Sequence, residues 1–434
     1  MLLFWQECKH ILRSRFLWIV AVIGVLACAF FSASSWNYDK DSYAVTHGYV
    51  QENGLSFTEK DIDKYNDYYL NDTAEGEKVR EVLKECGLED ITAKDIEKYQ
   101  NGEPTKLNDV LQKMSETGGE SYWTLIHYMD FLRIPQDLVS SHNLNPKGIM
   151  ENAKNELNSR LIPFSEWKKE MLLDGYRSLQ KRAESIVATK ENQYLLPLAM
   201  DSSLNILWFE SQFNSYGLGF LWAIAFVLAG IIVARSLGGS MMNNMQGMVY
   251  TGKPGRKFVL YKILSSLAIS ALAYLAMTLV VTLGFIIFFR LDLYWNVPLS
   301  AISGWRGSAV PRFFVTIGGY WWFQLGVGLG AVLIMALIFS AAMLLTKSFY
   351  AGSAISVGVS LLLLGIVQMV PGAQNSLLLM GSPISLFLNT GKFLQQSFLF
   401  SILPHFEGYS LLAWGGIAAV LGALGFLRFR RTAL

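Results

Sequence analysis

The chain has 434 residues, 36 basic and 34 acidic, for a formal charge of +2, with 52% hydrophobic and only 16% charged residues. A soluble domain carries about 25% charged residues, and here the charge is unevenly placed: residues 36 to 216 hold 31 acids and 20 bases, leaving 3 acids and 16 bases to the other 253 positions. A soluble enzyme, a nucleic-acid-binding protein and a disordered chain are excluded, and two solvents, water and lipid, are implied.

The first 15 residues place Phe4, Trp5, Cys8, Ile11 and Leu12 at the helical period, with Gln6, Lys9, His10 and Arg13 turned away from them. That pattern predicts an amphipathic helix lying in a membrane interface over residues 1–15, basic on one side and carrying Trp5 on the other. From Phe16 to Tyr38 no residue is charged, which gives a first span, 16–36, of crossing length. A cleaved signal peptide is the alternative, but the run exceeds the usual apolar region of such peptides, and a retained anchor is preferred.

Residues 37–210 read as a folded, mainly helical domain with a marked acidic excess. Thr58, three residues before Asp61, and Thr92, three before Asp95, predict capped helix starts. The segments 58–66 and 92–100 also resemble each other, as two similarly capped surface helices or as a duplicated module; two copies do not make a solenoid. Further helices are predicted near 120–133, 147–160 and 164–192, with Tyr65, Tyr68, Tyr69, Tyr122, Trp123, Tyr128, Phe131, Trp167 and Tyr176 supplying a core. Of the three cysteines, Cys8, Cys28 and Cys86, only the last lies in this domain, so no disulfide framework can form within it.

Charge-free runs then recur at 211–234, 263–289, 313–346, from 348 to about 370, and 408–427. With the first they predict six transmembrane helices: span 2 at 211–235, a cytoplasmic loop at 236–257, and spans 3 to 6 within 258–434. Residues 371–407 are broken by Pro371-Gly372, Pro383, Gly391 and Pro404, and predict a re-entrant or interfacial segment on the outer side. Placing the N-terminus inside sets twelve Lys and Arg residues on the cytoplasmic side against four outside. This satisfies the positive-inside rule, with the large domain exempt because long loops translocate regardless of charge. Both termini are then cytoplasmic, the acidic domain faces out, and the expected location is a cell membrane of bacterial type. The fold class is an α-helical polytopic membrane protein with a helical extracellular domain inserted between helices 1 and 2.

Signals of catalysis are absent. No H-E-x-x-H, G-x-S-x-G or metal-spaced Cys/His cluster occurs, and His10, His47, His127, His142 and His405 are scattered. Between Gly217 and Arg428 the only acids are Asp292 and Glu407, both expected in loops. Ion-coupled transporters carry such groups inside the membrane, so the pattern argues against ion coupling. The Gly-Lys pairs at 252–253 and 391–392 do not complete a P-loop. No catalytic residue, cofactor or metal is expected, and ATP-driven work would need an ATPase on another chain.

The internal loop runs from Arg235 to Lys257, with Lys262 just inside the next span. Met241 to Tyr250 predict a short Met-rich helix closed by Gly252 and Pro254, the alternative being a plain interfacial turn. Taken together, the amphipathic start, the exterior domain, the five further spans and the loop with Gly255-Arg256 followed by Lys262 resemble the membrane subunit of an ABC-2 type ABC exporter with a large extracellular insertion. The resemblance covers about 250 membrane residues and is one of layout.

It implies a coupling helix at Met241, Met242, Met245, Met248 and Thr251, with Gly255, Arg256, Lys257 and Lys262 beside it. It also implies an ABC ATPase subunit and a second permease subunit as partners, together with the lipid membrane. Members of that family usually carry a glutamate just before the coupling helix, whereas Ser236 to Thr251 contain no acid. Small residues at Gly326 and Gly330, and at Gly352 and Ser356, suit close helix packing, either within one chain or at a dimer seam. The functions expected are export of an amphipathic or lipidic cargo (peptide, peptide antibiotic or lipid) or, alternatively, mechanotransmission or sensing through the exterior domain.

Overall fold

A computed structural model describes residues 2–89, 91, 95, 98–99, 102–117, 119–129, 145–159, 165–191, 193–194, 219–239, 257–303, 310, 315–369, 376–388, 403 and 405–432. The described residues are mostly helical and contain no strand, only the isolated bridges Ser56 to Tyr194 and Pro298 to Thr316. The longer helices are α1 (Leu2–Leu12), α2 (Arg15–Asn53), α3 (Asp61–Asp72), α4 (Ala74–Glu85), α5 (Lys106–Thr117), α6 (Pro146–Ser159) and α7 (Glu166–Thr189). They are followed by α8 (Gly219–Val233), continued by a π turn at Ala234–Gly238, and by α9 (Lys257–Phe289), α10 (Ile317–Thr346), α11 (Phe349–Met369) and α12 (Phe406–Thr432).

Among the described residues three stretches are long and apolar enough to cross a membrane, Phe258–Phe289, Ile317–Thr346 and Phe406–Phe429, and the chain is a helical membrane protein. The pair Leu3–Leu12 and Arg15–Phe30, bent by 65°, is a fourth if taken as one span; Ala223–Gly238 and Phe349–Leu363 are apolar but shorter. The α10 helix is the hub. In its apolar window 78% of residues are buried, against 39% in α9 and 17% in α12, and α8, α9, α11 and α12 pack around it.

Lipid offers helices no hydrophobic drive to associate, so close packing and interhelical hydrogen bonds must hold the bundle. Tyr274 Oη of α9 donates to the Leu325 carbonyl at 3.0 Å, and Trp321 Nε1 of α10 donates to Thr282 Oγ1 at 3.1 Å. Glu407, expected in a loop, lies in the first turn of α12 and is buried. An acid is favoured there because the helix N-terminus is electropositive.

The α2 helix does not stop at the end of the charge-free run. It continues for 39 residues and delivers Tyr43, His47 and Tyr49 to the charged segment, where Tyr49, Phe57, Tyr65 and Tyr68 meet edge to face. Tyr69 stacks on Tyr128, whose hydroxyl donates to Asn66 Oδ1 at 3.0 Å. The capping signal at Thr58 appears as a carboxylate reaching back. Asp61 accepts from Thr58 N at 2.8 Å and from its hydroxyl at 2.7 Å, and Asn108 does the same for Thr105. The segment's chain ends meet where Phe57 N donates to the Gln193 carbonyl at 3.1 Å.

Candidate functional site at the junction of α1, the π turn and α9

The apolar stripe expected along residues 1–15 is divided in two by the structure. Cys8 and Ile11 are buried and Phe4 half-buried, with α1 packed on α9 and the π turn. Trp5 and Leu12 are exposed beside Phe16 and Trp18. At the bend, Ser14 caps α2 by accepting from Leu17 N at 3.4 Å. Trp18 Nε1 donates to the Leu12 carbonyl at 2.6 Å, satisfying an acceptor that the end of α1 leaves open.

The π turn carries the densest polar contacts of this junction. Its wider winding displaces carbonyls from the ordinary ladder, and Lys262, only 5% exposed, answers from α9. Lys262 Nζ donates to the Ser236 carbonyl at 2.8 Å, Ser236 Oγ donates to the Lys262 carbonyl at 3.0 Å, and Ser265 Oγ donates to that same carbonyl at 3.0 Å. The ammonium also sits 5.1 Å from the centre of the Phe258 ring, a cation–π contact. Gly238 has to be glycine because a Cβ there would overlap the ring of Phe349, the first residue of α11. The turn thus touches α1, α8, α9, α10 and α11 at once.

Glu7 places an acid at this junction. It is 8% exposed, Oε2 has no hydrogen-bond partner among the described residues, and its charge acts on Lys262 and His10. The periodicity of residues 1–15 gave no sign of it, because a single carboxylate on an otherwise basic helix resembles one more solvated position.

Of the residues expected to couple to an ATPase, Met241, Met242, Met245, Met248, Thr251, Gly255 and Arg256 lie outside the described residues, Lys257 opens α9, and Lys262 is the buried contact above. The expected packing residues separate. Gly330 faces Leu411 of α12, Gly352 faces Met343 of α10, and Ser356 Oγ donates to the Gly352 carbonyl at 2.8 Å, all within one chain. Gly326 is exposed, with open space where a side chain would be.

At the opposite end of α9 two further polar clusters tie the bundle to the charged segment. Tyr43 Oη donates to the Phe289 carbonyl at 2.5 Å, His47 Nδ1 and Tyr294 Oη lie 2.7 Å apart, and Gln51 Nε2 lies 2.9 Å from His47 Nε2. Burial, reinforced by Arg290, lowers the His47 pKa, while Asp292 opposes the shift. Burial also raises both tyrosines, Tyr43 and Tyr294.

The second cluster centres on Glu191, which binds Arg182 at 2.6 Å and accepts from Ser300 Oγ at 2.9 Å and Thr189 Oγ1 at 3.0 Å. Burial raises this carboxyl, but the hydrogen bonds from Arg182 and Ser300 and the guanidinium charge outweigh it, leaving its pKa below the usual glutamate value. Ala183 and Ile186 of α7 pack with Val310 beside it. Nothing in the spacing of Glu191 and Ser300, 109 residues apart, announced this contact. Among the described residues no group of His, Cys, Asp and Glu is placed to hold a metal. No family model, curated protein or solved structure matches the chain.

Proposed function

We propose that the chain is the permease subunit of an ATP-driven ABC exporter, with six transmembrane helices, residues 37–210 outside, and energy supplied by a separate ATPase chain. A second permease subunit completes the pathway, and the cargo is amphipathic or lipidic, in keeping with apolar, charge-poor walls. The observation that carries this reading is the junction of α1, the π turn and α9. A force applied to the loop that follows the π turn meets five helices through one buried turn, with α1 locked beside it. In this reading that end of the bundle is cytoplasmic, and 236–257 is where the ATPase docks.

The test is purification of the full chain in mild detergent and identification of what comes with it. An ATP-binding subunit that is lost on Arg256→Glu with Lys257→Glu supports the reading; its absence from the wild-type preparation would sink it.

One observation favours a second reading, in which ATPase motion moves the exterior domain and nothing crosses. The α2 helix is a single rod from Arg15 beside the bend to Asn53 inside the charged segment, so tilting its lower end moves the aromatic cluster at Tyr49. Deleting residues 45–200 separates the two readings: cargo efflux from vesicles that the deletion abolishes supports transport, and ATPase activity with no efflux from the intact complex supports transmission.

A further inference from the structure

Glu7 is the only acid before residue 39, and the structure turns it inward. The outward surface of the same junction is therefore cationic. Lys9, His10, Arg13 and Arg15 are exposed along α1 and the bend, and Arg235 is exposed on the π turn. None of the four Lys and Arg residues has an ion-pair partner among the described residues. The α1 helix packs directly on the π turn, which brings the Arg13 end of α1 and Arg235 into one junction although 222 positions separate them in sequence. At the same bend Trp5, Leu12, Phe16 and Trp18 are exposed apolar side chains, Trp18 bonded to the Leu12 carbonyl, and the 65° bend sets α1 across the direction of α2.

We propose that this cationic surface is a binding site for the headgroup of an anionic phospholipid, its phosphate held between Arg13 and Arg235, Lys9 and Arg15 flanking it, and its acyl chains lying along Trp5, Phe16 and Trp18. The chemistry fits on three counts. Guanidinium forks match phosphate oxygens two at a time. Cations at a bilayer surface gain from anionic lipid. The exposed apolar side chains at the bend select a lipid over a free phosphate, which has no use for exposed tryptophan. The site also has a mechanical consequence, because a lipid joining Arg13 to Arg235 would tie α1 from outside to the π turn on which it already packs. The inference rests on the chain being membrane-embedded and not on the presence of an ATPase.

The test uses the full chain reconstituted in lipid discs of phosphatidylcholine containing a minor share of phosphatidylglycerol, with the lipid retained after detergent washing then quantified. Wild type should hold phosphatidylglycerol well above its bulk share. Arg13→Gln and Arg235→Gln should each reduce that excess by roughly fivefold, and Arg177→Gln, on an exposed helix of the charged segment, should leave it unchanged. If the Gln variants fail to fold, Arg13→Lys and Arg235→Lys retain the charge and lose the fork, and should give a smaller loss. Equal retention in wild type and variants would overturn the proposal, as would displacement of the lipid by glycerol phosphate at similar concentration, which would mark the site as one for free phosphate. Failure to enter discs at all would instead overturn the membrane reading on which it rests.

Discussion

Lys262 and Ser236 hold each other reciprocally, the Lys262 ammonium on the Ser236 carbonyl at 2.8 Å and the Ser236 hydroxyl on the Lys262 carbonyl at 3.0 Å. Lys262→Met keeps the stem but leaves a buried carbonyl unanswered, and should cost about 1–3 kcal/mol, whereas Ser236→Ala should cost about 1 kcal/mol. Because the two bonds share one geometry, the double variant should cost less than the sum. Thermal unfolding of the four proteins in one detergent checks this, and additive costs would show that the pair is not coupled.

Gly238→Ala tests the same turn by volume. The added methyl would overlap Phe349, and overpacking a tight site costs about 1–3 kcal/mol. Phe349→Leu alone opens a cavity, but combined with Gly238→Ala it should recover part of the loss. A compensating double variant would place the effect at this contact and not in helix propensity.

The helical class, the membrane character and the helices near 147–160 and 164–192, described at Pro146–Ser159 and Glu166–Thr189, were legible because periodicity and charge report the solvent each residue meets. The junction was legible only in part. Lys262 was marked only by the family resemblance, as a coupling residue, and its partner is a backbone carbonyl on another helix, which no sequence pattern marks. Glu7 was hidden because one acid on a basic helix does not change the period, and its burial depends on where α1 bends. Gly326, Gly330, Gly352 and Ser356 were expected as packing positions, but spacing cannot say against what: Gly330 and Gly352 meet Leu411 and Met343 of the same chain, Ser356 bonds within its own helix, and Gly326 faces open space.

The contact between α7 and the Ser300 turn should be sensitive to loss of either charge. Arg182 and Glu191 are 9% and 11% exposed, so Arg182→Ala or Glu191→Ala strands a buried charge and should cost about 3–5 kcal/mol. Replacing both with apolar residues of like size should cost far less. Ser300→Ala should cost about 1 kcal/mol. Limited proteolysis within 37–210 reads the loosening directly. A depressed carboxyl stabilises the fold fully above the ordinary glutamate value of about 4.3, and that contribution is lost as pH falls through its lower folded-state value, so Glu191→Gln should flatten the acid limb of the stability profile.

His47 gives the last prediction, at higher pH. Its folded-state pKa lies below the unfolded value, first from burial and then from Arg290, with Asp292 opposing, so the folded protein binds fewer protons than the unfolded chain between the two values. Stability from this site is therefore complete above about 6.5 and declines as pH falls below it, until the folded-state pKa is reached. The same protonation makes both ring nitrogens donors, so Nε2 can no longer accept from the Gln51 amide, while Nδ1 faces Tyr294 as a donor. Tyr294 Oη can accept from it, but Tyr43 and Tyr294, both raised by burial, stay neutral and supply no countercharge. Melting temperatures between pH 5 and 8 should fall toward acid in the wild type and less so in His47→Gln, which keeps an amide able to bond Tyr294. Parallel profiles for the two proteins would show that the lower end of this window belongs to some other group.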